Sequence, residues 1–371
     1  HYLATEAGHE ILGQGGNAFD AAIAMAAMLS VVEQTSCGIG GGSFWMLHRA
    51  SDNFQVMIDG REKAPAAAHK DMYLKDDGTV NRDLAVNGPL AAAIPGEIAT
   101  WEHVATHYGR LPLSESLKPA IRVAREGFPV YTKFHGMLGW AAKNLRRWPA
   151  GAEAFLPGGE VPEMGQLLKL PDLERVLQKV AEDGKDAFYK GEIAQKLVNG
   201  VREAGGIWSM ADLEGYSVVE REPVRTIYHG YELVTAPPPS SGGVAIAEIL
   251  NIIEPYQVAK LDPVKRTHVI AEAMRRAYRD RALYLGDPEF YPVPVDMLTD
   301  HNYAAGLRAS IRMDRATPSS MLSGREMPPK GTDTSHFSIM DAEGNMVSAT
   351  LTVNTPFGSK FMVPGTGFVL N

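Results

Sequence analysis

Thr334 is the residue of this sequence with the clearest potential for chemistry. It directly follows Asp333 and opens the segment Thr-Ser-His-Phe-Ser near the end of the sequence. A threonine hydroxyl is a weak nucleophile, but a free α-amine on the same residue supplies a general base at short range. An internal threonine has no such amine, so this chemistry first requires the Thr334 hydroxyl to attack the carbonyl of Asp333 and break that peptide bond. The alternative interpretation is a solvent-facing threonine at the start of a strand, where threonine is common.

The residues that follow Thr334 predict a β-hairpin that would position it. Polar and apolar residues alternate over 334–340 and again over 346–354, and the intervening Asp-Ala-Glu-Gly-Asn is typical of a turn. A five-residue turn places Met340 opposite Met346, Ser338 opposite Ser348, His336 opposite Thr350 and Thr334 opposite Thr352. Directly opposed residues lie about 5 Å apart and diagonal ones about 7–8 Å, so Thr352 and Asn354 would lie beside the nucleophile. A shift of one residue in the register would destroy this arrangement.

The rest of the chain predicts a mixture of helices and strands. Strands over 43–48 and 54–58 would flank a turn at 49–53 and place Arg61 just past a strand end, which is a common location for a ligand-binding side chain. Ser240 and Ser241 are expected to cap a helix, and the arginines of 264–284 are expected on a solvated helix face. The predicted helices are 18–32, 170–181, 191–203, 244–253 and 264–284, and strands return over 224–234.

Composition limits the classes of function. The chain has 371 residues, of which 45% are hydrophobic and 22% charged, as expected for a globular enzyme, and one compact domain is predicted. The net charge of −8 and the lack of any Lys/Arg run argue against a nucleic-acid or anionic-membrane surface. The apolar run 18–32 is too short for a membrane span and contains Asp20, so a buried helix is predicted there.

Neither a metal nor a cofactor is predicted. Cys37 is the only cysteine, which excludes an intrachain disulfide and a cysteine metal site, and a buried thiol is expected. The eleven histidines lack spacing of the His-Glu-x-x-His kind. The glycine-rich stretch 38–42 is not followed by Lys-Ser/Thr and matches no dinucleotide fingerprint, so we interpret it as close backbone packing beside the active site.

Seven segments, spread over the whole chain, resemble the γ-glutamyltranspeptidases, a family of N-terminal-nucleophile hydrolases. Any one of them is weak evidence, whereas their order and spacing together make the resemblance specific. The segments are 15–22 (GGNAFDAA), 38–44 (GIGGGSF), 59–65 (DGREKAP), 237–243 (PPPSSGG), 284–288 (YLGDP) and the pair 334–336 (TSH) with 352–358 (TVNTPFG).

The resemblance implies a fold and a set of site residues. The implied fold is α+β, an αββα sandwich in which two stacked antiparallel sheets are flanked by helices. It implies Thr334 as nucleophile, so that 1–333 is a large-subunit region and 334–371 begins a small-subunit region. Arg61 resembles the arginine that holds the α-carboxylate of the γ-glutamyl group, and Thr352 and Asn354 resemble the pair that orients the nucleophile and touches the substrate. A surface arginine paired with Glu62 or Asp59 is the alternative for Arg61.

Further site residues are implied beyond the end of the sequence. The family's small subunit continues past the hairpin, where it supplies an acidic residue for the substrate α-amine, a serine pair and an oxyanion-hole glycine pair. We therefore expect this sequence to be part of a longer protein. The departures within the chain are small, with Ser335 where threonine is usual and Pro356 after Thr355. Export to the periplasm or medium is also expected, with a signal peptide already removed.

The implied activity is a self-processing γ-glutamyl acyltransferase or hydrolase. Its small-molecule partners would be a glutathione-like donor and a water, amino-acid or peptide acceptor, and cleavage would give a heterodimer of its own subunits. One alternative is a related acylase for glutaryl-cephalosporin-like amides or poly-γ-glutamate. A second alternative is an uncleaved, non-catalytic homologue.

Overall fold

The computed structural model describes residues 1–322 and 334–371. Within these residues the helices are α1 (Tyr2–Gly13), α2 (Ala18–Val32), α3 (Arg82–Val86), α4 (Glu97–His107), α5 (Leu113–Glu126), α6 (Thr132–Leu145), α7 (Pro149–Phe155), α8 (Pro171–Asp183), α9 (Asp186–Tyr189), α10 (Glu192–Glu203), α11 (Met210–Glu214), α12 (Gly242–Ile253), α13 (Pro263–Tyr284), α14 (Val295–Thr299) and α15 (His301–Ala309). Short 3₁₀ helices lie at Pro157–Gly159, Glu254–Tyr256, Val258–Lys260 and Ser319–Met321.

The strands form one larger sheet and two short ladders. They are β1 (Gly42–Arg49), β2 (Phe54–Gly60), β3 (Phe128–Pro129), β4 (Leu167–Leu168), β5 (Val219–Arg221), β6 (Val224–Tyr228), β7 (Tyr231–Thr235), β8 (Ser335–Met340) and β9 (Met346–Thr352). The larger sheet has the order β5-β2-β1-β9-β8, and β9 pairs antiparallel with both β1 and β8. The hairpin that carries Thr334 therefore forms one side of this sheet.

The chain separates into two compact units. The first comprises His1–Phe54, Ile58–Glu220 and Gly331–Asn371, and the second comprises Gln55–Met57 and Arg221–Lys330. The predicted subunit regions, 1–333 and 334–371, are defined by the expected cleavage of the chain and not by packing, so the two compact units do not test them. The division into these regions, and the packing of both regions as one domain, stay predictions.

Helix α2 is the central buried helix of the first unit, and its predicted bounds are confirmed. It begins with a capping box, in which Asn17 Oδ1 accepts from the amides of Phe19 and Asp20 while Asp20 Oδ2 accepts from the amide of Asn17. Its small alanines are buried on nearly all sides, and the helix packs against α1, α5, β8 and β9. A helix that is apolar all round is stable only inside a core. Among the described residues, no helix combines the length and apolar character needed to cross a membrane.

The second unit contains the β6–β7 hairpin and α12 to α15, and two sequence predictions for it are wrong in part. The Ser240 hydroxyl accepts a hydrogen bond from the amide of Gly242, the first residue of α12, at 3.3 Å. The Ser241 side chain does not cap α12, and its hydroxyl instead accepts a hydrogen bond from Arg281 Nε at 2.8 Å. The arginines of α13 do not all lie on a solvated face. Arg276 is only 1% exposed and contacts Glu272 Oε2 at 2.6 Å, so this pair is part of the interior. A buried charge of this kind is retained only with a partner and further hydrogen bonds.

Candidate active site

The hairpin register predicted from the sequence is confirmed. The structure pairs Met340 with Met346, Ser338 with Ser348, and His336 with Thr350. The last pair of the ladder joins Ser335 to Leu351, so Thr334 lies one residue before it and Thr352 lies one residue past its partner.

The turn fixes this register by hydrogen bonds from its own aspartate. Asp341 Oδ1 accepts from the amides of Glu343 at 2.9 Å and Asn345 at 3.0 Å, which closes the turn. Asp341 Oδ2 accepts from the amide of Ala18 at 3.0 Å and ties the turn to the start of α2. The apolar face of β9 is buried as predicted, through Val347, Ala349 and Leu351.

Thr334 is described and exposed, directly before β8. Asp333 lies outside the described residues, and with it the peptide bond expected to break. Self-cleavage at this bond therefore stays a prediction.

His336 is not aimed at a reacting group. Its Nδ1 contacts the Thr350 hydroxyl at 2.7 Å and its Nε2 contacts the Ser348 hydroxyl at 3.3 Å. Both ring nitrogens are thus occupied by side chains of the opposite strand, which fits a structural role.

Thr352 and Asn354 lie at the end of β9, on the same side of the hairpin as Thr334. The Thr352 hydroxyl accepts a hydrogen bond from the amide of Asn354 at 2.8 Å. Asn354 has a φ of 74°, in the left-handed region that asparagine tolerates better than most residues, and its side chain is exposed. The structure therefore brings the two predicted residues together at the end of the hairpin where Thr334 lies. Their predicted roles in orienting it and touching substrate stay predictions.

Lys360 anchors the loop after Asn354, and sequence reasoning missed it. The side chain is only 1% exposed, and its Nζ donates to Thr355 Oγ1 at 2.9 Å and to the Gly358 carbonyl at 2.7 Å. A lysine in a Gly-Ser-Lys context normally indicates an exposed loop, so the sequence offered no signal for this burial.

Arg61 lies one residue beyond β2, as predicted. Its side chain is 44% exposed, and its Nε lies 3.5 Å from Glu62 Oε2. Its backbone is held on both sides, because its amide donates to Asp59 Oδ1 at 3.1 Å and its carbonyl accepts from the Tyr216 hydroxyl at 2.7 Å. A guanidinium that is partly exposed on a fixed backbone is suited to receive a carboxylate from solution.

The glycine-rich stretch links the Arg61 segment to β9, and its predicted close packing is confirmed. Gly42 is paired with Thr352 across the β1–β9 ladder. A Cβ on Gly42 would lie 2.5 Å from the Gly60 carbonyl oxygen and 3.1 Å from Glu62 Oε2. A Cβ on Gly41 would lie 2.1 Å from the Thr352 carbonyl oxygen. Only glycine permits these approaches. Arg61 and Thr352 are thus held on either side of β1.

The buried carboxyl groups of Glu62 and Glu97 lie next to this stretch. Sequence reasoning did not identify either of them as a site residue. Burial raises the pKa of Glu62 above its usual value, an effect that the neighbouring Arg61 opposes. Burial also raises the pKa of Glu97 to about 7, opposed by hydrogen bonds from Ser43 and Trp101 and assisted by the charge of Glu62. Glu62 Oε1 and Glu97 Oε2 are buried and accept no hydrogen bond from the described residues. Glu97 is the first residue of α4, where an acidic residue ordinarily indicates a solvated first turn. Its position in the sequence therefore did not indicate that it is buried.

Cys37 is a buried thiol, as expected. Burial raises its pKa, and its side chain contacts Ser335. A thiol with a raised pKa is a poor nucleophile. Within residues 1–322 and 334–371, no cluster of three or more His, Cys, Asp or Glu side chains could hold a metal ion.

Comparisons of the sequence and the structure with known proteins identify the family of this chain. The sequence model described as gamma-glutamyltranspeptidase matches residues 4–371. A glutathione hydrolase proenzyme of Pseudomonas sp. (strain A14) is 41% identical over all of this chain and 65% of its own length. An acylase ACY 1 proenzyme of Pseudomonas sp. (strain V22) is 40% identical over all of this chain and 67% of its own length. The chain therefore spans about two thirds of the length of these relatives.

A solved structure supports the same assignment. The γ-glutamyltranspeptidase of Helicobacter pylori superposes with a TM-score of 0.85 and 37% identity, covering 87% of this chain and 93% of the other. The predicted α+β class, with antiparallel sheets and flanking helices of the N-terminal-nucleophile type, is confirmed by this neighbour and by the strand pairing above. Motifs, hairpin register and these matches agree, and the chain belongs to the γ-glutamyltranspeptidase family.

Proposed function

We propose that this chain is the larger part of a self-processing γ-glutamyl acyltransferase and hydrolase, with Thr334 as its nucleophile. The observation that carries the proposal is the hairpin, which sets Thr334 at the strand end shared with Thr352 and Asn354. Family membership supports the same function. The name of the Pseudomonas sp. (strain A14) relative, a glutathione hydrolase proenzyme, supports both a glutathione-like donor and a precursor that is cleaved.

The first reaction would be cleavage of the chain itself. The Thr334 hydroxyl attacks the carbonyl carbon of Asp333, the peptide C–N bond breaks, and the nitrogen of Thr334 takes the proton. Water then hydrolyses the resulting ester, leaving a carboxylate on Asp333 and a free amine on Thr334. This amine is the general base that the mature nucleophile needs.

The second reaction would transfer the γ-glutamyl group. The Thr334 amine accepts the hydroxyl proton as the oxygen attacks the γ-amide carbon, and then delivers that proton to the departing amine. Water or the amine of an amino acid or peptide attacks the acyl-enzyme and restores the hydroxyl. Arg61 would bind the donor's α-carboxylate as a bidentate partner, since its guanidinium is partly exposed on a fixed backbone.

An acylase activity is the second candidate, because an acylase ACY 1 proenzyme matches nearly as well as the glutathione hydrolase proenzymes. The two substrates differ only in the α-amine, which the γ-glutamyl group has and the glutaryl group lacks. Arg61 does not discriminate between them, since both amides carry the terminal carboxylate that its guanidinium would bind. An uncut binding homologue is disfavoured by the joint presence of Thr334, Thr352, Asn354 and Arg61.

The proposal extends to assembly and location. The fragments before and after Thr334 would remain together as a heterodimer, since β9 pairs with β1 and both strands of the hairpin pack against α2. We also propose that the protein is exported, as the sequence resemblance implies.

The test is intact mass and N-terminal sequencing of the purified full-length protein after incubation at neutral pH. We expect a new N-terminus at Thr334, and none in the Thr334→Ala variant. A folded wild-type chain that stays intact would refute self-processing and favour the uncut homologue. A Thr334→Ala protein that still turns over substrate would refute the nucleophile.

The substrate is tested separately with γ-glutamyl-p-nitroanilide and glutaryl-p-nitroanilide. These two amides share a leaving group and a terminal carboxylate and differ only in the α-amine. We expect kcat/KM to favour the γ-glutamyl amide, and the opposite preference would assign the acylase activity.

A further inference from the structure

We propose that Glu33 is a positioning residue for the nucleophile, acting through the hydroxyl of Ser335. The inference deepens the proposed function and rests on it. Ser335 directly follows Thr334 and is the first residue of β8, so whatever fixes Ser335 also fixes the backbone from which Thr334 projects.

The contact between the two side chains is short and sheltered. Ser335 Oγ donates to Glu33 Oε2 at 2.6 Å, a distance typical of a hydroxyl bonded to a carboxylate. Ser335 is only 8% exposed and the Glu33 side chain 13% exposed, so solvent competes weakly for either group. Such a charge-assisted bond is stronger than one between neutral groups.

Glu33 is rigid enough to serve as a reference point. It is the C-cap residue of α2, and its amide donates to the Leu29 carbonyl at 2.8 Å. Its own carbonyl accepts from the amides of Ser36 at 2.8 Å and Cys37 at 3.1 Å, which closes the turn of residues 33–37.

The same turn also binds the loop that follows β9. The Ser36 carbonyl accepts from the amide of Val353 at 3.1 Å, and the Thr35 carbonyl accepts from the amide of Phe357 at 3.0 Å. Val353 lies between Thr352 and Asn354 in the sequence. One five-residue turn therefore holds both the residue after the nucleophile and the residue between its two proposed partners.

Several charged or titratable groups face Glu33 from neighbouring elements. The backbone nitrogen of His1 lies 3.9 Å from Glu33 Oε1, and Lys133 Nζ donates to Ser36 Oγ at 3.5 Å. Burial raises the pKa of Tyr131, with a further contribution from the charge of Glu33, and burial raises the pKa of Cys37. Once cleavage frees the α-amine of Thr334, the Glu33 carboxylate would lie one residue away and would raise the pKa of that amine.

The test compares Glu33→Gln, Ser335→Ala, Ser335→Thr and the double variant Glu33→Gln/Ser335→Ala in the full-length protein. Glu343→Gln is the matched control, because Glu343 lies on the same hairpin at the turn, where it pairs with Arg110 at the surface. Self-cleavage is followed by mass, and kcat and KM are measured with γ-glutamyl-p-nitroanilide.

We expect Glu33→Gln and Ser335→Ala each to slow self-cleavage and to lower kcat by about tenfold or more, with KM within about twofold of the wild-type value. The double variant should resemble Ser335→Ala, because Glu33→Gln removes only the charge from a bond that Ser335→Ala removes altogether. Ser335→Thr should restore most of the rate lost in Ser335→Ala, since it returns the hydroxyl. In Glu33→Gln the acidic limb of the kcat/KM profile should move to lower pH, whereas Ser335→Ala should leave that limb in place.

Rates within about twofold of the wild type in both single variants would overturn the inference. An additive double variant would overturn it too. So would a Glu33→Gln variant whose loss of rate matches its loss of thermal stability and whose pH profile is unchanged. These outcomes leave the proposed function standing as long as the wild-type protein acquires its Thr334 terminus. A wild-type protein that never cleaves would instead remove the proposed function itself.

Discussion

Replacement of Glu97 by glutamine should remove a pH dependence from the stability of the folded chain. Glu97 is buried, with a pKa of about 7 compared with an ordinary value of 4.5. Its Oε1 accepts from Trp101 Nε1 at 2.8 Å, a bond that the glutamine oxygen can keep. The perturbation therefore removes the titration while retaining the side-chain volume and this contact.

The sign and size follow from proton linkage. Between pH 4.5 and about 7 the folded state holds a proton on Glu97 that the unfolded state has already released. The contribution of Glu97 to stability is thus complete below pH 4.5 and is lost as the pH rises through about 7. A difference of roughly 2.5 pKa units corresponds to about 3 kcal/mol. The free energy of unfolding of Glu97→Gln should therefore gain about 3 kcal/mol relative to the parent between pH 4.5 and about pH 8.

The assay is urea unfolding monitored by tryptophan fluorescence at several pH values, in a Thr334→Ala background that keeps one continuous chain. Other titrating groups contribute equally to parent and variant, so only their difference is interpreted. Glu203→Gln, on the exposed surface of α10, is the matched control and should show a constant difference from the parent. A difference between Glu97→Gln and its parent that is the same at every pH would refute the reasoning, because Glu97 would then titrate alike in both states.

Three other substitutions test the substrate site, the glycine packing and the second unit. Arg61→Ala should raise KM for γ-glutamyl-p-nitroanilide by about a hundredfold and leave self-cleavage within about twofold; loss of cleavage would assign Arg61 to folding instead. Gly41→Ala should abolish soluble, self-cleaving protein, because its Cβ would lie 2.1 Å from the Thr352 carbonyl oxygen, and normal cleavage by mass would contradict this packing. Glu272→Gln should destabilise the chain by about 3–5 kcal/mol in urea unfolding by leaving Arg276 buried without its charge partner, and a change under about 1 kcal/mol would show that solvent reaches the pair.

The hairpin was predictable because its information is local. Alternation with a period of two sets which side chains share a face, and the turn aspartate and glycine set the number of residues between the strands. Both signals lie within about twenty residues, and together they are sufficient to specify the pairing of His336 with Thr350. The helix at 18–32 was predictable for the same reason, since its apolar length and its capping asparagine are contiguous.

The buried charges were not predictable in this way. Glu97, Arg276 and Lys360 occupy positions that are ordinarily solvated, and only packing against distant segments removes them from water. Glu33 offered one usable signal, because it lies at the C-terminal end of a helix. A carboxylate is disfavoured there by the helix dipole, so an acid at that position indicates that it has a partner elsewhere.

The contacts around Thr334 also explain why self-processing would depend on the completed fold rather than on the hairpin alone. The bond between Ser335 and Glu33 joins residues 302 positions apart, and the bond between Asn371 and the Gly40 carbonyl joins residues 331 apart. Neither can form before α2, the glycine-rich stretch and the end of the chain are packed together, because closing such long loops costs entropy that only the assembled core offsets. A hydroxyl that is aligned by contacts of this range attacks its own backbone only after folding. The proposed Asp333–Thr334 cleavage would therefore report that the core beneath the nucleophile is complete.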